Sequence, residues 1–326
     1  MQQLSSASEE EVGKAIDMFE TPILFMVFNR PEVTARVLGR ILEVSPRKLF
    51  ISADGPRLGR TEDVGRCAAV RALFDTLPPQ IEVQRLFRTN NLGCKQSGVT
   101  ALEWYFSKVD RGIVLEDDCL PDPSFFRFCE SALERYKNAE EVMLISGHNP
   151  FGAFPPSNDA VLSKYPFIWG WASWRRAWKY YQPEIGDWDP KVTWKQAERW
   201  LGSKHAVDFW MKAFRDAAIG AEVWDYQLNY AMCMRETLAV VSGRNLVSNI
   251  GFGVDAVHTK DPHDRRQFQP LYSAPLKPRF PDSLTPDVRF QRRTIHQLYF
   301  NRDLTLIGSV KKVLRRIGVS FRRKKT

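Results

Sequence analysis

The stretch Gly112-Ile113-Val114-Leu115-Glu116-Asp117-Asp118-Cys119-Leu120-Pro121 decides how this chain is read. An apolar run ends in three consecutive carboxylates, and a proline soon after stops a strand or helix from continuing. The pattern predicts a buried strand with negative charge concentrated at its carboxyl end. In an open α/β sheet that edge is where ligands bind, and clustered oxygen ligands there suit Mg²⁺ or Mn²⁺ carrying a substrate phosphate. The other reading of such a triplet is a solvated acidic turn, and the flanking segments decide between the two.

On the amino-terminal side, short apolar segments at Ile23 to Phe28, Leu49 to Ser52 and Val83 to Phe87 alternate with helical patterns at Pro31 to Leu42, Thr61 to Leu77 and Gln96 to Val109. Beyond the triplet, Asp122-Pro123 supplies an N-cap and a first-turn proline for a helix reaching about Tyr136, and Val142 to Ile145 reads as another strand. This is βαβ rhythm, which predicts an α/β layered fold with a mostly parallel central sheet. Four strand ends then carry polar groups to one edge: Asn29-Arg30, Ser52 with Asp54-Gly55, Arg88 with Asn90-Asn91, and Glu116 to Asp118. A phosphate-bearing ligand fits that mixture. No Gly-x-Gly-x-x-Gly follows the first strand and no Walker motif occurs, which argues against a dinucleotide dehydrogenase and a P-loop enzyme.

The 326 residues are 44% hydrophobic and 12% aromatic, ample for a large core. The expected organisation is a polar segment 1–20, a body 21–300 and a basic tail 301–326. The body divides at about residue 150 into a nucleotide-binding half and an aromatic-rich acceptor half. Nine of the ten tryptophans fall between Trp169 and Trp224, most of them expected to be packing. The first residues lack a secretory signal, no apolar run spans a bilayer, and five scattered cysteines without a Cys-x-x-Cys pair suit a reducing compartment, so a cytoplasmic location is expected. Of the net charge of +9, eight Lys or Arg lie in 310–326, leaving the body near neutral. The stretch 304–325 reads either as an amphipathic helix packed on the body or as a peripheral contact with an anionic membrane, each basic residue there contributing about 1 kcal/mol. Nucleic acid is not expected as a partner, because no aromatics interleave the charge.

Seven segments carry a resemblance: PILFMVFNRPE (22–32), FISADGPR (50–57), NLGCKQS (91–97), GIVLEDDCLPDPSFF (112–126), WGWASWRRAW (169–178), WDYQL (224–228) and LVSNIGFGVDAVHT (246–259). In this order they resemble glycosyltransferases of the GT-A fold, in particular family 2-like bacterial proteins related to N-acetylglucosaminyltransferase I. The resemblance implies a metal-dependent, inverting transfer of a sugar from a nucleotide-diphosphate donor, with a lean to UDP. The acceptor it implies is a glycan or lipid-linked precursor of a surface polysaccharide.

Carried residue by residue, the resemblance places Asn29, Arg30 and Asp54 at the nucleotide, Glu116 and Asp117 at sugar and ribose hydroxyls, and Asp118 on Mn²⁺ or Mg²⁺. His258, three residues after Asp255, is a second metal-ligand candidate. If strand geometry persists, Glu116 and Asp118 point to one side and Asp117 to the other. Lys95 and Arg88 are candidates for diphosphate contacts, and Gly170-Trp171 for close passage beside the sugar, while Trp174 and Trp178 read as packing. Asp225 is the expected catalytic base; its alternative role is the N-cap of a helix at 226–234, which would leave Asp187 or Asp189 as base. Two rival functions stand beside the transferase. One is a sugar-nucleotidyltransferase, which needs a glycine-rich basic loop where Asn29-Arg30-Pro31-Glu32 stands; the other is a non-enzymatic membrane-surface scaffold.

Overall fold

The computed structural model describes residues 18–154, 158–186, 188–252 and 269–300. The first five strands predicted from sequence all form: β1 (Ile23–Val27), β2 (Lys48–Ala53), β3 (Glu82–Phe87), β4 (Arg111–Glu116) and, after the short β5 (Cys119–Pro121), β6 (Val142–Ser146). Three more, β7 (Ala160–Ser163), β8 (Trp171–Trp174) and β9 (Leu238–Ser242), complete an eight-stranded sheet of order β3-β2-β1-β4-β8-β6-β9-β7. β1 to β4, β6 and β9 run one way, whereas β8 lies antiparallel between β4 and β6, and β7 antiparallel on the β9 edge. This is a mixed α/β, Rossmann-like sandwich with a mostly parallel central sheet. β10 (Val247–Asn249) pairs with β5 in a separate two-stranded ribbon.

Period-two alternation sorts the two cores. Ile23, Phe25 and Val27 of β1, with Leu49, Ile51 and Ala53 of β2, face one layer, while Leu24 and Phe50 face the other. The first layer is covered by α1 (Pro31–Leu42), α2 (Thr61–Ala72) and α4 (Ser124–Arg135), the second by α3 (Gly93–Lys108), α8 (Asp225–Arg235) and α9 (Val288–Thr294). With both faces covered, the inner parallel strands β1, β6 and β9 are near-continuous apolar runs, whereas the edge strand β3 carries Glu82, Gln84 and Arg85. A third cluster joins α6 (Pro190–Leu201), α7 (Lys204–Ala218) and α8 to the π-helical segment Ile295–Phe300 that follows α9. The short α5 (Arg175–Trp178) completes the helices among the described residues.

Several boundaries differ from the sequence reading. α2 stops at Ala72 rather than Leu77, because the chain turns through Leu73 to Asp75 before Pro78-Pro79. α4 begins one residue later than expected, with the Asp122 carboxylate accepting from the Ser124 amide at 2.9 Å. Trp174 and Trp178 are buried packing residues, as read.

Gly170 opens β8 at the carboxyl edge of β4 and β6, where Trp171 is in register with both Val114 and Ser146. Its φ of +64° and the Val247 Cγ2, which a Cβ would meet at 2.6 Å, leave room for no side chain. Gly170→Ala is therefore expected to lower unfolding free energy by about 1–3 kcal/mol. Chemical denaturation would read this as a lower midpoint at unchanged slope.

Candidate active site

The triplet sits where β4 ends. β1 and β4 are parallel neighbours with Met26 opposite Glu116, so Asn29 and Arg30, leaving β1, are carried alongside Asp117 and Asp118. The strand stops at Glu116 and the chain turns through Asp117 and Asp118. The expected alternation is corrected accordingly: both aspartates face Arg30. Its guanidinium donates to both Asp117 oxygens, at 3.3 Å from Nε and through a short contact from Nη2, and Nη2 reaches Asp118 Oδ2 at 2.9 Å. Asp117 is 5% exposed. Burial disfavours the Arg30 cation, but Asp117 and Asp118 outweigh it and hold the guanidinium charged beyond its ordinary range.

One guanidinium does not neutralise the cluster. Burial, then Asp118, Asp117 and Asp225, push the Glu116 carboxyl well above the usual carboxylate range. Burial likewise raises Asp117, with Arg30 opposing. Asp225, in the first turn of α8, thus lies close enough for its charge to act on Glu116. It occupies the first helical position after Trp224, so it does not take the N-cap position that was its alternative role. Cys94, an exposed residue in the first turn of α3, marks the same space: local desolvation, then Glu116, Asp225, Glu222 and Asp54, raise its thiol above the ordinary value.

The remaining candidates divide. Asp54 is 5% exposed, and its oxygens accept from the amides of Gly55 and Leu92 and from Asn91 Nδ2, at 2.9 to 3.2 Å. Burial raises its carboxyl above the ordinary value, with those amides opposing. It latches the 90–93 loop to the end of β2. Asn29 donates to Asp63 Oδ1 at 2.7 Å, and Arg57 clamps the same fully buried carboxylate at 2.6 and 2.9 Å. Hydrogen bonds from Arg57 hold Asp63 well below the usual carboxylate range. Lys95 is 8% exposed and pairs with Glu184 at 2.8 Å, in the segment between α5 and α6. Arg88 turns inward onto Ser52 and Thr100, at 2.9 and 2.5 Å.

Trp171 is a correction. Its indole is 1% exposed and stacks on Trp224 at 5.9 Å, so it belongs to the core and not beside a sugar. β8 is the central antiparallel strand and has no solvent face there. Gly170 approaches Val247 of β10 instead. Asp189 caps α6 by accepting from the Lys191 and Val192 amides, at 2.8 and 3.3 Å. His258, Asp255, Asp187 and the tail 304–325 lie outside the described residues.

Sequence reasoning missed Asp63, Arg57 and His148. His148 is 6% exposed beyond the end of β6, stacks on Trp169 at 4.3 Å and meets Gln269 Oε1 at 2.8 Å. The acidic first turn Glu62-Asp63 was the available signal for Asp63; nothing local marks His148.

Among the described residues no three His, Cys, Asp or Glu side chains form a metal-holding group. What the chain offers a hard cation there is Asp118, whose Oδ2 carries Arg30 and whose Oδ1 lies 3.6 Å from the Cys119 sulfur. That donor set fits Mg²⁺ or Mn²⁺ as a one-carboxylate site, since these ions keep phosphate oxygens and water in their other positions.

No protein-family model matches the chain, and no curated protein matches it. Solved structures do. Mouse xyloside xylosyltransferase 1 in its apo form is 12% identical, with 66% of this chain and 82% of that chain covered at a TM-score of 0.35. The UTP-bound UGPase from Acinetobacter baumannii is 9% identical, over 70% and 88%, at 0.33. The inositol-1-phosphate CTP transferase from T. maritima is 11% identical, over 75% and 92%, at 0.34. These likenesses are distant, and the architecture described above rests on strand order and register.

Two outcomes test the charge arrangement. Arg30→Met leaves a buried Asp117 without its partner and is expected to destabilise by about 3 kcal/mol at neutral pH. The loss should shrink at acidic pH, where Asp117 is protonated, and chemical denaturation at both pH values checks it. Glu116 holds its proton more tightly folded than unfolded, so its contribution is complete below the ordinary carboxylate range and is lost as pH rises through the raised value. The Glu116 contribution should therefore fall from acidic toward alkaline pH, and the difference in stability between wild type and Glu116→Gln, read by denaturation across pH, should show that loss.

Proposed function

We propose that the protein is a glycosyltransferase that uses a nucleotide-diphosphate sugar, UDP-linked by preference, and transfers with inversion to a hydroxyl of a glycan or lipid-linked surface-polysaccharide precursor. The observation that carries this reading is the meeting of Asp225, at the start of α8, with Glu116 and the Arg30-bound aspartates at the carboxyl edge of the sheet. The seven segments in order, from PILFMVFNRPE to the 246–259 segment, support a relation to N-acetylglucosaminyltransferase I-like enzymes.

In this reading Asp118 holds Mn²⁺ or Mg²⁺, which supplies charge stabilisation for the departing diphosphate when bound. Arg30 is the chain's own cation at that place and orients the two aspartates. Asp225 accepts the proton of the acceptor hydroxyl, and Glu116, kept protonated by its neighbours, donates a hydrogen bond to a donor hydroxyl. Asn29, through Asp63 and Arg57, and Asp54, through the 90–93 loop, shape the nucleotide side. The basic stretch 304–325, outside the described residues, is assigned in this reading to the membrane surface where lipid-linked acceptors reside. The polar turn after β1 has α1 starting at Pro31, in place of a glycine-rich loop for a nucleoside triphosphate, which favours a transferase over a nucleotidyltransferase.

Calorimetry with UDP, GDP and dTDP, with and without Mn²⁺, is expected to give metal-dependent affinity for one diphosphate that Asp118→Ala loses. Asp225→Asn should bind that nucleotide as the wild type does and transfer about 10²–10⁴-fold more slowly. Pyrophosphate release from a nucleoside triphosphate and a sugar phosphate would instead identify a nucleotidyltransferase.

A further inference from the structure

One well-formed cavity lies away from the triplet. It measures about 650 Å³ and opens where β9 ends and β7 begins, lined by Phe154, Asp159, Ser242, Arg244, Tyr272 and Arg279 among others. Ser242 pairs with Ala160, so the cavity lies on the same carboxyl edge of the sheet as the triplet, but at the opposite side. Its size is that of a small-molecule site.

Its walls are fixed by backbone. The Phe154 amide donates to the Gly243 carbonyl and the Gly243 amide to that of Asp159, both at 2.8 Å; the Tyr272 amide donates to the Asn245 carbonyl at 2.9 Å. Phe154 is a buried floor, Tyr272 a half-buried wall. The charge is unbalanced. Asp159 accepts from the Arg279 amide at 2.9 Å and from its Nε at 3.4 Å, so its carboxylate is already engaged. Arg289 adds a third guanidinium 5.8 Å above the Phe154 ring, with Asp287 at 3.8 Å from it. Arg244 is exposed, and among the described residues no carboxylate pairs with it. An aromatic cavity with an unspent guanidinium at its mouth selects a ring that carries a carboxylate or a phosphate.

The position gives the ligand its role. Residues 244–251 run from the cavity directly to the triplet: the Ile250 amide donates to the Asp118 carbonyl at 2.8 Å, and a Cβ on Gly251 would meet Asp118 Oδ2 at 2.2 Å. Seven residue steps reach at most roughly 25 Å. One extended ligand along this segment therefore spans both places. We infer that the cavity is a subsite for an anionic sugar residue of the acceptor, a uronate or a sugar phosphate, remote from the hydroxyl that reacts. This rests on the transferase reading for the word acceptor, while the binding site itself stands on the cavity alone.

Ligand-observed NMR on the full chain tests it with D-glucuronate, D-glucose 6-phosphate, D-glucose and inorganic phosphate. The anionic sugars are expected to bind at least about tenfold more tightly than glucose, to lose that advantage in Arg244→Ala, and to remain bound when UDP is saturating. The better of the two names the source of the anion. Equal binding of glucose, indifference to Arg244→Ala, or displacement by UDP would overturn the proposal. Inorganic phosphate competing as well as glucose 6-phosphate would also overturn it, reducing the cavity to an anion site. Arg244 is exposed, so its replacement leaves folding intact, and Tyr272→Phe provides a second variant that keeps the wall while the sugars should still bind. UDP binding without binding of the anionic sugars would reject the subsite and leave the transferase reading in place. Binding of the anionic sugars through Arg244 without any nucleotide binding would do the reverse.

Discussion

The contact between Arg30 and the aspartates at the end of β4 is the constraint on which the carboxyl edge depends. Parallel pairing of β1 with β4 forces the two strand ends together, and a run of three carboxylates arriving there has to be offset or protonated. Arg30 offsets Asp117 and Asp118, and Glu116 answers with a raised affinity for its proton. The cover over this cluster is backbone. Gly251 packs so closely that a Cβ would lie 2.5 Å from Arg30 Nη1, and β10 is held to β5 beside it. A side chain at 251 would separate Arg30 from its partners or lift β10 away, so the ribbon and the ion pair require each other.

The antiparallel β8 imposes the second constraint. Set between two strands of the opposite direction, it brings its first residue, not its last, to the carboxyl edge. Gly170 therefore meets β10 at the place where a parallel strand would send out a loop, and the Gly147 amide donates to its carbonyl at 2.9 Å. Two glycines and one strand of the small ribbon close the gap between β4 and β6. The consequence for Trp171 follows at once: in the middle of the sheet its indole stacks on the Trp224 ring, for which Gly98 of α3 leaves the space.

The first half of the fold was legible because each element there is local. Alternation at 23–27 and 48–53, the proline opening α1 and the Asp122-Pro123 helix start are all written within a few residues of where they act. β7, β8 and β9 were not legible, since short buried strands in an aromatic-rich region look like core of any kind. In the site, the carboxylates and Asp225 were readable as residue types at strand and helix ends. Their partners were not. The pairing of Lys95 with Glu184 spans 89 residues and that of Asn29 with Asp63 spans 34, and neither separation has a periodicity to betray it. Trp171 failed for the same reason: a glycine before an indole describes close approach, without saying whether to a ligand or to another strand.

The two ends of the crevice carry opposite sign. Carboxylates exceed cations at β1 and β4, while guanidinium exceeds carboxylate where β9 ends. β4 and β9 are three strand spacings apart in the sheet, roughly 14 Å. That exceeds the screening length of about 8–10 Å at ordinary ionic strength, so the negative cluster does not cancel the positive mouth of the cavity. An acidic chain approaching this edge is repelled from the triplet and drawn to Arg244, which orders the encounter before any contact forms. The neutral part of such a chain is then the part that extends along 244–251 toward Asp225. The distribution of charge along one sheet edge thus selects which portion of an anionic ligand reaches the carboxylates.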